Sequence, residues 1–402
     1  MNNITAITGN ADIGDCKIQF TLTNQNNNTI KIIKSNNNIK KINEIILNFL
    51  NFYNIKNSII EIEDFDALDF VIMARLEAAY KKLIPTEKKE FLPNILDKNK
   101  YSINKDNIRF SKLYVPGNTP KYVIKANSYM PHSIVLDLED SIAYSKKEEA
   151  VYLVRNALRI IDFKSIEKMV RINPLPMGLD ELDFIIPHYV NTIIIPKCEE
   201  AEQICLINKK IHQIKNKYNL TYQVWLMPII ESCKGVIKAY EIATASDNIA
   251  AIAFGQEDYI TDLEGNKTKS KNESLFARSM IVNVCKAINI QAIDSVYVDY
   301  KDLEGLKQYV IYSKSLGFNG MGCIHPDQIN IINEYFSPDE NEITLAKKII
   351  TAYKESLNKG IGVTTVENKM IDLPIVNKAK RTIEIAIKTN KINPNELQEY
   401  LC

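Results

Sequence analysis

Short strand-like segments and two helical stripes occupy the first part of the chain. Three segments alternate apolar and polar side chains, or are short apolar runs bounded by turn residues, and predict strands at 15–22, 30–34 and 58–63. Residues 39–53 carry apolar side chains at helical spacing. A second helical stripe follows Asp64 or Asp66, either of which is a suitable N-cap. The pattern predicts a small α+β module over residues 1–84.

A polar stretch separates this module from the rest of the chain. Residues 85–108 are rich in lysine and asparagine and include Pro85 and Pro93. Such composition is typical of a connection between domains. We therefore expect residues 85–108 to be a linker.

From residue 109 the pattern becomes a repeat of apolar runs, each followed by a helical stretch. The eight runs are 112–116, 133–139, 168–173, 191–197, 224–231, 249–255, 292–298 and 320–326. Nearly continuous apolar strands are buried on both faces, as in a parallel sheet. Eight such strands alternating with helices predict an α/β fold, a (β/α)8 TIM barrel, over residues 109–335.

The chain continues well beyond the eighth predicted strand. Residues 343–357 have the apolar spacing of an amphipathic helix. Gly360 and Gly362 allow the backbone to bend, and Pro374 fixes a later turn. We expect residues 336–402 to form a C-terminal helical lid or oligomerisation segment.

Composition excludes several classes of function. The 25% charged and 46% hydrophobic residues are ordinary for a globular protein, and a net charge of +1 gives no reason to expect nucleic acid as a partner. No apolar run approaches the roughly 18 residues of a membrane span, and the N-terminus does not resemble a signal peptide. The seven cysteines form no C-x-x-C pair, so we expect reduced, mostly buried thiols in a cytoplasmic protein.

Charged residues follow the predicted strands of the barrel. They are Asp137, Glu139, Asp140, Arg171, Lys197, Glu231, Asp258, Asp294 and His325. The C-terminal ends of barrel strands meet at one rim, where such enzymes carry out their chemistry. Each charge alone could instead cap a helix or pair locally. As a set they predict a site for a metal and an anionic substrate.

Three of these residues suggest specific roles. Glu231 and Asp258 follow consecutive strands, so their carboxylates can meet across the barrel mouth. Mg²⁺ prefers a few protein carboxylates and completes its shell with substrate oxygens and water. Arg171 is suited to hold a substrate carboxylate through two parallel hydrogen bonds. We therefore expect Mg²⁺ as the cofactor.

Many segments of the barrel region resemble one enzyme family. They include SKLYVPGNTPK, IVLDLEDSIA, VRIN, IIPK, PIIES, AFGQEDY, LGFNGMGCIHPDQI and GVTTVENKMIDLPIV, and they run from Ser111 to Ala379. In order and spacing they resemble the citrate lyase β-subunit and its CoA-using relatives, the HpcH/HpaI aldolase or CoA-ester lyase family. The resemblance implies a (β/α)8 barrel with a C-terminal helical extension, commonly assembled as a trimer.

The resemblance also implies roles for individual residues. The metal ligands of the family fall on Glu231 and Asp258, and its substrate-carboxylate arginine falls on Arg171. An acidic residue that reaches into the barrel mouth of a neighbouring subunit falls on Asp372. Glu139, expected to act in catalysis, and Arg278, expected to bind substrate, match family motifs with supporting roles.

The front module resembles a second protein, the citrate lyase γ-subunit, which is an acyl carrier. The matching segments are ITGNADIGDCKI and IEDFDALDFVIMARLEAA, which contains Arg75. The carrier holds its CoA-derived arm on a serine, but the corresponding positions here are Ile13 and Gly14. Neither residue has a hydroxyl group, so we expect this module to carry no such arm.

The barrel region departs from the family pattern at three positions. Met321 replaces a lysine, and Phe110 and Val151 replace arginines. The loss of these cations leaves the predicted metal site intact. It predicts altered recognition of CoA or of a carrier arm.

The favoured function is a Mg²⁺-dependent carbon–carbon lyase. Its expected reaction is retro-Claisen cleavage of a citryl thioester, on CoA or a carrier, to oxaloacetate and an acetyl thioester. One alternative is a citramalyl-CoA or malyl-CoA lyase that acts on free CoA esters. Another is a non-catalytic scaffold subunit of a lyase complex. The expected partners are copies of this chain, in a homotrimer or larger oligomer, and possibly a citrate lyase α-subunit.

Overall fold

The computed structural model describes residues 3–35, 37–268, 271–393 and 396. Cys402 and the end of the predicted C-terminal segment lie outside this part of the chain. Within it, the cysteines at 16, 198, 285 and 323 are buried and every described cysteine is a free thiol. No helix in these ranges is both long and apolar enough to cross a bilayer.

A four-stranded mixed sheet forms the front module. Its strands are β1 (Ile4–Thr8), β2 (Asp15–Leu22), β3 (Asn28–Lys34) and β4 (Ser58–Phe65), in the order β1-β2-β4-β3. β3 and β4 run parallel, and the other pairs are antiparallel. The strand β1 was not predicted because its two isoleucines, Ile4 and Ile7, are exposed. Its inward positions carry only Ala6 and Thr8.

Two helices cover this sheet. They are α1 (Ile39–Tyr53), which has its predicted bounds, and α2 (Asp69–Leu83). The expected caps of α2 are wrong, since the N-cap position is Leu68 and makes no side-chain hydrogen bond. Asp64 instead ends β4 and accepts the N–H of Ala67 at 2.9 Å.

The predicted linker lies against the N-terminal end of the barrel. Buried Asn99 donates hydrogen bonds to the carbonyl groups of Leu158 and Ile161, and Trp225 donates to the carbonyl of Ile103. Asn191 donates to the carbonyl of Tyr101. The segment therefore closes the bottom of the barrel as well as connecting two domains.

Eight parallel strands close into a barrel, which confirms the predicted fold. They are β5 (Ser111–Pro116), β6 (Ser133–Asp137), β7 (Glu167–Arg171), β8 (Thr192–Ile195), β9 (Trp225–Ile230), β10 (Ala251–Phe254), β11 (Gln291–Asp294) and β12 (Gly320–Cys323). β12 pairs with β5 to complete the ring. All eight lie within or overlap the predicted apolar runs.

Helices surround the barrel. They are α3 (Pro120–Lys125), α4 (Lys147–Ile160), α5 (Met177–Ile185), α6 (Ala201–Tyr218), α7 (Cys233–Ile237), α8 (Ala239–Thr244), α9 (Gln256–Asp262), α10 (Asn272–Ala287), α11 (Leu303–Leu316) and α12 (Asp327–Phe336). Outward strand residues pack beneath these helices, and a separate cluster that includes Val135, Met169 and Met227 fills the barrel interior. Since strand residues alternate between faces, seven of the eight strands contribute to both clusters, and β12 contributes Met321 and Cys323 to the outer one.

The C-terminal arm follows the barrel as an independently packed unit. It consists of α13 (Glu340–Asn358), a hairpin of β13 (Thr364–Val366) and β14 (Lys369–Ile371), and α14 (Leu373–Lys388). α13 and α14 pack together around a hydrophobic cluster separate from that of the barrel. The helical character of the arm agrees with the prediction, whereas the hairpin was not predicted.

Two reciprocal buried ion pairs join the front module to the barrel through α2 and α4. Arg75 of α2 holds Asp15 at 2.8 Å and reaches Glu149 of α4 at 3.3 Å. Arg155 of α4 holds Glu77 of α2 at 2.6 Å. All five side chains are essentially excluded from water, and one hydrophobic core continues from the module into the barrel.

The docked module lies beside the barrel mouth. Arg75 also donates a hydrogen bond to the carbonyl of Asn118, in the loop after β5, at 2.9 Å. Lys146, which follows β6, donates to the carbonyl of Gly9 at 3.1 Å. Ile13, where a carrier would hold its arm, is 70% exposed. These contacts therefore hold the module in a fixed position relative to the barrel.

The reciprocal pairs predict a strong effect of removing one arginine. Arg155→Met removes the fully buried partner of Glu77, which keeps only the partly exposed Lys81 at 3.1 Å, and should lower the free energy of unfolding by about 3–5 kcal/mol. Urea denaturation measures this change. Lys98→Met, which breaks an ion pair whose side chains are 55% and 38% exposed, is the control and should cost less than about 1 kcal/mol. Equal effects of the two substitutions would contradict this account of the interface.

Candidate active site

A cavity of 370 Å³ opens at the C-terminal ends of the barrel strands. Its charged lining residues are Lys112, Asp137, Asp140, Arg171, Glu231, Glu257, Asp258 and Asp294. Tyr114, Gly255, Ser295 and Gly322 complete much of the wall. The cavity thus brings together six of the nine rim residues that the sequence singled out.

Arg171 at the end of β7 is the centre of the charged network. Its Nε and Nη2 donate to the two carboxylate oxygens of Asp137 at 2.6 and 2.8 Å. Nη1 donates to Asp140 at 3.3 Å. Burial alone would raise the pKa of Asp137, but the hydrogen bonds and charge of Arg171 hold that pKa below its usual range. The paired face of Arg171 is therefore occupied by Asp137 and not free for a substrate carboxylate.

Glu139 lies beside this network without lining the cavity. Its Oε2 is 2.7 Å from Nη1 of Arg171, but without hydrogen-bond geometry, and it has no hydrogen-bond donor among the described residues. Its Oε1 is 3.4 Å from Nζ of Lys197. Burial, together with Asp140, raises the pKa of Glu139 to about 7. This geometry fits a residue that positions Arg171 and Lys197 better than one that contacts substrate.

Glu231 at the end of β9 is buried at the cavity wall. Its Oε1 accepts the backbone N–H of Lys197 at 2.6 Å. Burial raises the pKa of Glu231 to about 8, and the charges of Asp258 and Glu139 act in the same direction. The other oxygen, Oε2, lies against Gly255, where an added Cβ would approach it to 2.5 Å. Only glycine at position 255 leaves room for this carboxylate.

Asp258 lies in the first turn of α9 and points an exposed carboxylate into the same cavity. The start of α9 is held by Ser295, whose Oγ accepts the N–H of Gln256 at 3.1 Å. The Gln256 side chain in turn accepts a hydrogen bond from Tyr309 at 3.3 Å. The first turn of α9 is therefore anchored to the end of β11.

Glu231 and Asp258 fit the requirements of a magnesium ion. Both line one cavity, and Glu231 holds Oε2 against Gly255, where no described residue donates a hydrogen bond to that oxygen. Across the described ranges, no three His, Cys, Asp or Glu side chains are grouped so as to enclose a metal. Mg²⁺ commonly takes one or two protein carboxylates and fills its other positions with substrate oxygens and water, so two carboxylates suffice.

Arg278 does not occupy the position expected for a substrate-binding residue. It is fully buried on α10, outside the cavity, where its Nη2 donates to Asp294 and to Ser313 at 3.0 Å. Asp294 also accepts the N–H of Ser295 at 2.9 Å. The expectation is corrected accordingly: Arg278 is too deep to touch substrate and instead orients Asp294 at the end of β11.

Two further predicted residues lie outside the cavity lining. His325 stacks on Tyr300 with ring centroids 5.0 Å apart and has its Nδ1 3.4 Å from Asp327. Asp372 is the N-cap of α14, where it accepts the N–H of Ile375 at 3.4 Å. In a single copy of the chain, Asp372 therefore caps α14 and does not line the barrel mouth.

The three departures from the family pattern all lie in the hydrophobic core. Met321 is fully buried between the strands and the outer helices, and Val151 packs in the same layer on α4. Phe110, just before β5, stacks on Phe336 with ring centroids 6.0 Å apart. None of them lines the cavity. The prediction that these losses alter arm recognition at the site is therefore not supported by their positions.

Sequence reasoning missed two residues of the inner barrel wall, Lys112 and Tyr114. Both line the cavity and are fully or largely buried. The alternation of residues along this strand already paired the two side chains. In KLYVP, alternate residues share one face, so Lys112 and Tyr114 had to point to the same side. The sequence did not reveal whether that side was the barrel interior or the helix layer.

Comparisons with known proteins were made for both parts of the chain. Residues 111–326 match the model of the HpcH/HpaI aldolase/citrate lyase family. Residues 3–83 match an acyl-carrier-type model described as the malonate decarboxylase delta subunit. These matches confirm both resemblances seen in the sequence.

Individual relatives match about three fifths to seven tenths of this chain. The citrate lyase subunit beta of Leuconostoc mesenteroides subsp. cremoris is 34% identical over 287 residues, which are 71% of this chain and 95% of the relative. The mitochondrial citramalyl-CoA lyase of Homo sapiens is 32% identical over 293 residues, 69% of this chain and 85% of the relative. The CitE protein of Mycobacterium tuberculosis, solved with magnesium and acetoacetate, is 26% identical with a TM-score of 0.51, covering 61% of this chain and 98% of that one.

The contact between Gly255 and Glu231 predicts a specific defect. Gly255→Ala places a methyl group 2.5 Å from Oε2 and 2.6 Å from Cβ of Glu231, so the carboxylate must move. We expect Mg²⁺ affinity, measured by titration calorimetry, to fall at least about 10-fold while the fold is retained. Gly265→Ala is the control, because its added methyl meets only the side chains of Leu263 and Ile260, at 3.4 Å or more. Unchanged Mg²⁺ affinity in Gly255→Ala would contradict the assignment of Glu231.

Proposed function

Because this chain belongs to the HpcH/HpaI aldolase/citrate lyase family, we propose that it is a magnesium-dependent carbon–carbon lyase that cleaves a 3-hydroxyacyl thioester. Relatives named citrate lyase subunit beta and citramalyl-CoA lyase support a lyase of the CoA-ester type. The favoured substrate is a citryl thioester, which gives oxaloacetate and an acetyl thioester.

One structural observation carries this proposal. Glu231 and Asp258 line a single cavity at the barrel mouth, and the cation Arg171 lies in the same wall. A barrel needs no such cluster for stability, since buried charges cost free energy unless they are paired. The arrangement therefore argues against a purely structural, scaffold role.

The metal would be held by Glu231 and Asp258, and a solved relative contains magnesium. When bound, Mg²⁺ supplies Lewis-acid polarisation of the hydroxyl and carboxylate oxygens of the substrate. Gly255 keeps the space for the Glu231 carboxylate, and the Ser295–Gln256 hydrogen bond anchors the turn that carries Asp258.

The residues of the chain then orient the substrate and offset its charge. Arg171 lies at the cavity wall, held by Asp137, and its positive charge helps to offset the negative charge that develops on the substrate. Glu139 holds Arg171 and Lys197 from behind. In the retro-Claisen step a carboxylate of the cavity takes the proton of the substrate hydroxyl, which becomes the carbonyl of the oxo acid, and the electrons of the broken C–C bond pass to the thioester enolate.

Asp372 is proposed to deliver the proton that the enolate carbon requires, from a neighbouring copy of the chain. Asp372 does not line the cavity of its own chain, and the surface around it is apolar and exposed. Met370 is 65% exposed, and Leu373, Ile361 and Val363 are each about half exposed. Such a surface suits burial against another subunit, as in a homotrimer or larger oligomer.

A second candidate function remains within the same reaction class. The similarity to a citramalyl-CoA lyase favours cleavage of free CoA esters such as citramalyl-CoA or malyl-CoA. The fixed front module, with Ile13 in place of an acceptor serine, is consistent with a thioester that arrives from outside the chain. We propose a cytoplasmic enzyme, which could also pair with a citrate lyase α-subunit.

The metal assignment is tested by removing one carboxylate charge at a time. Glu231→Gln and Asp258→Asn keep the side-chain shape but weaken the ligand. We expect each to lower Mg²⁺-dependent cleavage of citryl-CoA at least about 100-fold. Glu199→Gln, a charge change in an exposed ion pair after β8, is the control and should keep the rate. Full activity of the parent protein in excess chelator would exclude the metal mechanism.

The shared active site is tested by complementation between inactive chains. Co-expressed Asp372→Ala and Glu231→Ala subunits can form some sites with an intact metal ligand and an intact acid. Mixed oligomers, isolated through two different tags, should regain part of the parent rate. Glu231→Ala with Asp258→Ala is the matched control, because both losses affect the same chain's cavity and no site is restored. Absence of recovery in the first pair would place Asp372 outside the reaction of a neighbouring subunit.

A further inference from the structure

A lysine lies at the floor of the active-site cavity. Lys112 is on β5, points into the barrel interior and is 1% exposed, yet it lines the same cavity as Glu231 and Arg171. Among the described residues its Nζ has one hydrogen-bond partner, the Sδ atom of Met227 at 3.5 Å. A thioether is a weak acceptor, so this amine is poorly satisfied for such a buried group.

The charged groups around Lys112 do not compensate for its burial. Arg171 and Glu167 face it from β7, Arg109 from the segment before β5, and Cys323 from β12. Burial, followed by the positive charge of Arg171, lowers the pKa of Lys112 to about 7. Glu167 cannot supply a partner, since it is held by Arg109 at 2.9 Å.

The other cations at the mouth already have carboxylate partners. Arg171 is bound by Asp137, and Lys197 lies by Glu139. Lys112 and Arg171 flank the ring of Tyr114, each 5.2 Å from its centroid. In the described part of the chain, Lys112 is thus the one cavity-lining lysine or arginine with no carboxylate within ion-pair distance.

We propose that Lys112 binds a carboxylate of the substrate at the cavity floor and thereby selects its oxo-acid part. A carboxylate that reaches past Arg171 would pair with the ammonium group and displace the weak contact with Met227. This inference rests on the proposed lyase function. It specifies a substrate whose oxo-acid product carries a second carboxylate, as oxaloacetate does, over one that carries a methyl group there, as pyruvate does.

The test compares two substrates in two variants. In the parent protein, kcat/KM should be higher for citryl-CoA than for citramalyl-CoA. Lys112→Met keeps the volume but removes the charge, and should lower kcat/KM for citryl-CoA at least about 30-fold while changing that for citramalyl-CoA less than about 3-fold. Lys168→Met is the matched control, because Lys168 is also fully buried but donates to the carbonyl of Asn99 outside the cavity.

A binding measurement separates this inference from the lyase proposal. Titration calorimetry with Mg²⁺ should give tighter binding of oxaloacetate than of pyruvate in the parent protein, and Lys112→Met should abolish the difference. If neither CoA ester is cleaved but this difference is present, the lyase proposal fails and the carboxylate site stands. If both esters are cleaved and Lys112→Met lowers them equally, Lys112 does not select the oxo acid.

The stability of Lys112→Met provides the remaining control. A buried lysine without a charge partner does not stabilise the fold. The Lys112→Met variant should therefore unfold at a temperature no lower than that of the parent protein. Loss of activity together with a large drop in unfolding temperature would show that Lys112 has a structural role and would overturn the proposal.

Discussion

The arrangement of the barrel mouth depends on the ion pair between Arg171 and Asp137. Both side chains leave adjacent strand ends and are largely removed from water, where a lone charge is costly. Their two hydrogen bonds fix the guanidinium plane, and Glu139 and Asp140 then pack against its remaining edge. Since this arginine is already neutralised, the carboxylates Glu231 and Asp258 are left with a local excess of negative charge. A divalent cation, rather than a further protein cation, is suited to balance that excess.

The cost of burying an unpaired charge also determines the interface between the front module and the barrel. Arg75 and Arg155 each bridge α2 and α4 in a water-free interface. Burial makes these pairs specific in geometry, because any sliding of the module would leave a charge unpaired. A carrier domain that delivers an arm must move, whereas this one is held beside the barrel mouth. Together with Ile13 and Gly14 in the acceptor segment, this suggests that the module has become a fixed part of the enzyme.

The C-terminal arm, unlike the front module, has an apolar surface that is not covered within the chain. Its helices form their own small core and leave apolar side chains around Asp372 exposed, so the arm is stable in itself but incomplete at its surface. In the assembly proposed above, another copy of the chain would cover this surface. The barrel mouth, open to solvent in one chain, would then lose water, and its electrostatic interactions would strengthen.

The sequence by itself determined the barrel, its eight strands and most of the charged residues that line the cavity, because apolar runs and strand alternation are local properties. It also indicated the missing acceptor at Ile13. Only the tertiary structure decided that Arg278 orients Asp294 from behind, that Met321 lies in the core, and that Asp137 occupies the paired face of Arg171. Only it placed Lys112 on the cavity floor. These outcomes depend on which face of each strand turns inward and on charge pairing between distant segments, and neither property is encoded in local spacing.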